Sequence, residues 1–273
     1  MTLKEELINI KNNEYKLPDG ANVESVVESM LRNIGSTDSY LRDELIYTTF
    51  SEWIIGEYLP IEMLRNILHT AMNGHHIFYH IGDSDSDSVF TRSFSMLLIP
   101  LILLVNQKHD FLSNEDIIEV KVKLIRYLQQ EKDLRGYVLH KGWAHSIAHS
   151  ADAINALAEN NLHDDHLLQL LNTIKDVVCT KDTVYMNLED ERLTTAVVTI
   201  LKKDTLKITA IQDWIRNFDN WERSECWQEE YKVITNVKNF LSSLYFRLCN
   251  EDTIEEVAEM IKETLIKMMK RYT

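Results

Sequence analysis

The chain has 273 residues, 45% of them hydrophobic and 26% charged, with a formal net charge of −14. That length and composition can bury a full core and exclude general disorder, while the negative balance disfavours a nucleic-acid partner, whose binding depends on neutralised phosphates. Only 7 Gly and 3 Pro occur, too few turn formers for a sheet protein of this size, so the expected fold is all-α, with short polar connections between helices.

Residues 1–15 carry Glu5, Glu6 and Glu14 among their apolar positions and do not read as a signal peptide. Val23, Val26, Val27, Met30, Leu31 and Ile34 repeat at three and four, which predicts a helix over 23–34 with Gly35 in the left-handed position after it. Ser36, Thr37 and Asp38 can cap the next helix, whose apolar stripe is Leu41, Leu45, Ile46, Trp53 and Ile54. Pro60 suits the first turn of a third helix ending near 73–74.

Residues 75–88 are the least regular. His75, His76 and His80 precede the alternation Asp83, Asp85, Asp87. An EF-hand is rejected, because Ser88 stands where its loop needs Gly and Phe94 where it needs a bidentate Glu. A solvated acidic loop with surface histidines is expected instead. A helix over 89–106 follows. Its segment 94–105 is the most apolar of the chain, too short for a bilayer and interrupted by Pro100, so a buried helix and no membrane span are expected.

Ser113 to Asp116 form a capping-box-like start for a helix to about residue 130. Residues 136–142 read as a connection, and helices are expected over 143–159, 164–178, 190–202, 208–221, 227–248 and 253–271, the last with a capping signal at Thr253 to Glu256. Antiparallel helix pairs recurring about every 40 residues fit a HEAT- or armadillo-like solenoid, although no motif repeats, and a compact helical bundle fits the same pattern. No Pro/Gly/Ser-rich linker divides the chain, so a single domain over 1–273 is expected. Cys179, Cys226 and Cys249 form no CxxC, which suits unpaired thiols in the cytoplasm.

The segment Gly142-Trp143-Ala144-His145-Ser146-Ile147-Ala148-His149-Ser150-Ala151-Asp152 carries the most chemistry. On a continuous helix, His145, His149 and Asp152 fall at about 0°, 40° and −20°, one stripe opposite Trp143, Ile147, Ala151, Ile154 and Ala158. Two His at i and i+4 with a carboxylate one turn on can ligate a divalent metal. Without metal, Asp152 can orient His149 as a general base. The glutamate of HExxH is replaced by Ser146, and a plain solvated or hydrogen-bonded stripe accounts for the same pattern. The small residues Ala144, Ala148 and Ser150 allow a neighbour close. Arg92, at the start of the apolar helix, and Arg192 are candidates to hold an anion, with Ser93, Trp143 and Glu189 beside them. Neither GxSxG, nor a P-loop, nor GxGxxG occurs.

Gly35 to Asp38 with Leu41 to Leu45, Val89 to Ser95, Leu134 to Tyr137 with Gly142 to His145 and Ala148 to Asp152, and Glu189 to Leu193 together resemble the bacterial domain-of-unknown-function family 2785. The resemblance covers roughly 35–193, and GWAHxxAHxxD is its most specific element. It implies a bacterial origin and a helical fold, transfers no catalytic role, and suggests that the His145 stripe, Arg92 and 189–192 belong to one family pattern. Two functions are expected from this. One is a polar cleft lined by His145, His149 and Asp152 that binds a small polar or anionic ligand, with or without metal and hydrolysis. The other is a non-catalytic scaffold for a protein or peptide.

Overall fold

The computed structural model describes all residues except 18, 19, 21, 222, 250–254 and 271–273. The protein is all-α, apart from one small hairpin. Its helices are α1 Leu3–Asn12, α2 Val23–Arg32, a π-helix Tyr40–Tyr47, α3 Thr48–Ile55, α4 Ile61–Ala71, α5 Ser88–His109, α6 Asn114–Gln130, α7 Ser146–Ala158, α8 Asp164–Val178, α9 Glu189–Lys202, α10 Ile208–Arg216, the 3₁₀ turn Asn217–Asp219, α11 Trp227–Leu248 and α12 Glu255–Met269. Strands β1 Tyr137–Val138 and β2 Gly142–Trp143 pair antiparallel between α6 and α7. The capping signal expected at 253–256 begins outside the described residues. The chain divides into two compact units, Met1–Asn160 and Asn161–Thr273.

In the first unit, α5 is the centre. It packs against the π-helix, α3, α4 and most extensively α7. The helix runs through Pro100 rather than breaking there, which leaves the Met96 carbonyl without its helical donor. By length and composition α5 could cross a membrane, contrary to the expectation of a short run, and 89% of its most apolar stretch is buried within the fold. Ala148, Ala151 and Ser150 of α7 are fully buried, and side chains this small allow the backbone of α7 to come close to α5.

Caps set several boundaries. Thr2 and Glu5 form a capping box that starts α1, a helix the sequence pattern had not marked. Ser113 and Asp116 do the same for α6, as expected. Gly35 corrects an expectation: it does not adopt a positive φ. A Cβ there would run into the Thr91 side chain and come within 2.8 Å of the Thr91 Cα, so close approach to α5 is what requires glycine.

The second unit is built on α11, which packs against α9, α12 and α8. Trp214, Phe218 and Phe240 form its aromatic centre, and Trp214 Nε1 donates to the Leu171 carbonyl at 2.8 Å. Glu191 of α9 is tied to Ser243 and Arg247 of α11. Trp227, at the start of α11, is exposed.

Candidate functional site

The hairpin between α6 and α7 positions the site. His140 (φ 65°) and Gly142 (φ 83°) turn the chain, and Tyr137 pairs with Trp143 while Val138 pairs with Gly142. Successive strand residues face opposite ways. Val138 therefore packs inward on Val89, Phe90 and Ala144, while Tyr137 and Trp143 share the outer face, with ring centroids 5.0 Å apart. Arg42 of the π-helix fixes the hairpin from beneath. It is fully buried, stacks on Phe90 and Phe94, and donates to the carbonyls of Ser36 (2.7 Å), Lys141 (2.8 Å) and Trp143 (3.5 Å).

His145 leaves the hairpin in a left-handed conformation (φ 47°, ψ 36°) and is the N-cap of α7. Its N–H donates to the carbonyls of Arg135 (3.1 Å) and Gly136 (3.3 Å), and its own carbonyl accepts the first helical bond from His149 at 3.0 Å. A non-glycine residue in this region is uncommon and mildly strained. The expected helical stripe is thus corrected, because α7 begins at Ser146 and neither Trp143 nor His145 is on it. The rings meet in another way. Trp143 stacks on His145 (4.2 Å, 25°), and His145 meets His149 edge-on (5.8 Å, 87°). His149 in turn meets Phe94 (5.3 Å) and Phe94 meets Tyr47 (6.4 Å), both nearly perpendicular.

His149 lies in the first turn of α7 and is buried. Its Nδ1 is 3.1 Å from the Ser93 carbonyl oxygen. A carbonyl only accepts, so Nδ1 carries a proton, and in the neutral ring Nε2 holds the lone pair. The Ser93 carbonyl therefore holds this ring through Nδ1. Asp152, half-buried, follows His149 at i+3 on α7.

Arg92 is held inside the first unit. Its Nε and Nη2 pair with the two Glu131 carboxylate oxygens, both at 2.7 Å, and the remaining donors reach Ser88 Oγ and the carbonyls of Tyr79, His80 and Asp83. Neither partner of this pair is exposed. Every guanidinium nitrogen is engaged, so Arg92 braces the 79–83 segment against the end of α6 and has no donor left over for a ligand anion. Ser93 contributes its carbonyl, and its hydroxyl is buried. Glu189 and Arg192 lie in the second unit. Glu189 is buried at the start of α9 and accepts from the Asn187 N–H at 2.8 Å, and Arg192 is exposed.

Asp43, beside Arg42, is a perturbed carboxyl at the hairpin's base. Its Oδ1 is 2.8 Å from Arg42 Nε without hydrogen-bond alignment. Burial pushes its pKa up to about 6, against the pull of Arg42. The folded state then holds this proton more tightly than the unfolded chain. The associated stability is present at low pH and is lost as pH rises from 3.8 through about 6. Urea midpoints across that window should fall for the native protein relative to Asp43→Asn; a rise would contradict the burial argument.

Among the described residues, no group of three or more His, Cys, Asp or Glu side chains is placed to hold a metal ion. The divalent-metal reading of His145, His149 and Asp152 loses its geometric basis with His145 outside the helix. The family described as "Protein of unknown function (DUF2785)" matches residues 77–246, more than half of the chain. That match starts later and ends later than the expected 35–193, so Arg42 and Asp43 lie outside it. No curated protein and no solved structure matches.

Proposed function

This chain belongs to the DUF2785 family, and from its own geometry we propose that it binds a small polar ligand at the Trp143–His145–His149 ring ladder. The observation that carries this reading is His145. The fold holds it in a strained left-handed backbone, with its ring stacked on Trp143 and edge-on to His149. Strain persists only where the surroundings over-determine it, and it gathers at binding and switch sites. The chemistry open to the site is proton transfer. An imidazole of this pair in its neutral form can accept a proton from a ligand hydroxyl or from water, with the Ser93 carbonyl holding the His149 ring. Asp152, one turn after His149, adds a polar group. We place this activity in the cytoplasm, where free thiols such as Cys179, Cys226 and Cys249 persist.

A thermal-shift screen tests the reading. The panel holds sugars, amino acids, nucleosides, amines and short carboxylic acids. A ligand present at 100 times its Kd stabilises the folded state by about 2.7 kcal/mol, which is several degrees in Tm for a protein this large. At least one compound should give such a shift in the native protein and none in His149→Ala. A panel with no compound sensitive to that substitution would count against a ligand site here.

A further inference from the structure

One side chain holds the hairpin that carries Trp143, and a titratable group lies against it. Arg42 is fully buried, with its guanidinium over the rings of Phe90 and Phe94. Its Nη1 donates to the Ser36 carbonyl at 2.7 Å, and its Nη2 to the carbonyls of Lys141 and Trp143 at 2.8 and 3.5 Å. Nε is left over. It is buried with no acceptor in line, although Asp43 Oδ1, also buried and without a donor, stands 2.8 Å away. The other oxygen of Asp43 reaches the hairpin itself, 3.4 Å from where a Cβ on Gly142 would be.

A guanidinium is a rigid plane, so its nitrogens move together. Bringing Nε–H into line with Oδ1 turns that plane and displaces Nη2. Of the three carbonyl bonds, the one from Nη2 to Trp143 is already the longest and gives way first. The charge on Asp43 decides whether this happens. Arg42 keeps its own charge at every ordinary pH. A neutral carboxyl draws its Nε–H weakly, whereas a carboxylate forms a charge-assisted bond about twice as strong.

Other charged groups surround the pair. Glu44, next on the π-helix, pairs with Lys11 of α1, and Asp38, ahead of it, with Lys4 of α1. The charge that α3 carries, Glu52, is exposed. Arg92 of α5 is held by Glu131, and Lys141 of the hairpin by Asp87. Ahead of the hairpin Arg135 pairs with Asp133 and Lys132 is exposed, as is His140 at the turn. Two imidazoles adjoin the same groups: His149 meets Phe94, on which Arg42 rests, and His145 stacks on Trp143. We propose that Arg42 and Asp43 form a pH-sensitive latch on the hairpin. With Asp43 neutral, Arg42 holds the Trp143 carbonyl; with Asp43 ionised, Arg42 turns onto the carboxylate and lets that carbonyl go. Burial sets the range, since it pushes the Asp43 pKa up to about 6. The latch is closed while the proton is on and opens as pH rises and the proton leaves. It concerns the hairpin itself and stands or falls apart from the ligand reading.

A pH titration of the full chain, followed by heteronuclear NMR, tests the latch. The Asp43 carboxyl carbon reports ionisation, and the Arg42 Nε–H reports the bond that forms. The peptide nitrogen of Ala144 shares its amide with the Trp143 carbonyl and reports the bond that breaks. In the native protein the three signals should move together, with a midpoint of about 6. Imidazoles ordinarily titrate in the same range, so variants separate the causes. Asp43→Asn, neutral at every pH, should remove the step at Arg42 Nε and leave the Ala144 signal near its native low-pH position. His145→Gln and His149→Gln should each retain the joint step. A joint step that persists in Asp43→Asn, or that vanishes in either histidine variant, would overturn the latch. So would an Asp43 carboxyl in the native protein that titrates while the Arg42 and Ala144 signals stay still, a result that needs no variant to fold.

Discussion

Replacing Glu131 with glutamine is expected to lower the unfolding free energy by about 3–5 kcal/mol, because it strands a buried guanidinium without its carboxylate. Arg92 and Glu131 share two hydrogen bonds of 2.7 Å with no solvent exposure on either side chain. In such surroundings the loss of one partner outweighs anything a surface ion pair contributes, which is about 0–1 kcal/mol. Replacing both residues by apolar ones often restores stability in buried pairs. It should not do so here. Arg92 also donates to the carbonyls of Tyr79, His80 and Asp83, and the Glu131 carboxylate accepts from the N–H groups of Lys132 and Asp133. An Arg92→Met, Glu131→Met chain leaves those backbone groups without partners, so urea unfolding should show little recovery over the single variant. Recovery to near native stability would mean that the pair is not a brace.

Gly142→Ala is expected to cost about 2–5 kcal/mol, from two sources that add. The residue has φ 83°, where a side chain costs about 1–2 kcal/mol. A Cβ there would also lie 2.9 Å from Ser39 Cβ and 3.0 Å from Arg42 Nη2, and overpacking of this kind costs about 1–3 kcal/mol. The second source matters more for the site, because the clash is with the side chain that holds the hairpin. Arg42 must move off the Lys141 and Trp143 carbonyls, and Trp143 loses its place over His145. The variant should therefore show both a lower urea midpoint and a changed near-ultraviolet circular dichroism spectrum. An unchanged spectrum with full stability would show that the Arg42 contact does not set the geometry of the ring ladder.

Where local signals agreed with the fold, they were enough. The capping pair Ser113 and Asp116 marks the start of α6, and the apolar periodicity of 164–178 and 227–248 coincides with α8 and α11. Five features escaped for identifiable reasons. Two-residue strands are too short for an alternation to show, so the 136–142 connection gave no sign of a hairpin. The helical period of α7 runs on smoothly through His145, but the carbonyls of Arg135 and Gly136 take its N–H and turn the backbone left-handed. The two imidazoles did come together, by ring contact across the helix start rather than by helical stacking. Arg92 looked like a cleft residue because its partner is 39 positions away, beyond any local pattern. Gly35 was read as a conformational need when the need is space beside Thr91. The π-helix, which aims Arg42 and Asp43 at the hairpin base, has no sequence signature we could read.

The proposed site requires that the imidazoles of the ladder meet a ligand, with His149 fixed through Nδ1. Long-range proton–nitrogen NMR correlation of the histidine rings tests it most directly, at a pH where the His149 ring is neutral. The expected result is the Nδ1–H form for His149, and ring signals of His145 and His149 that shift when a compound from the thermal screen is added to saturation. An Nε2–H form, or His145 and His149 signals unmoved by a compound that binds the protein, would contradict it.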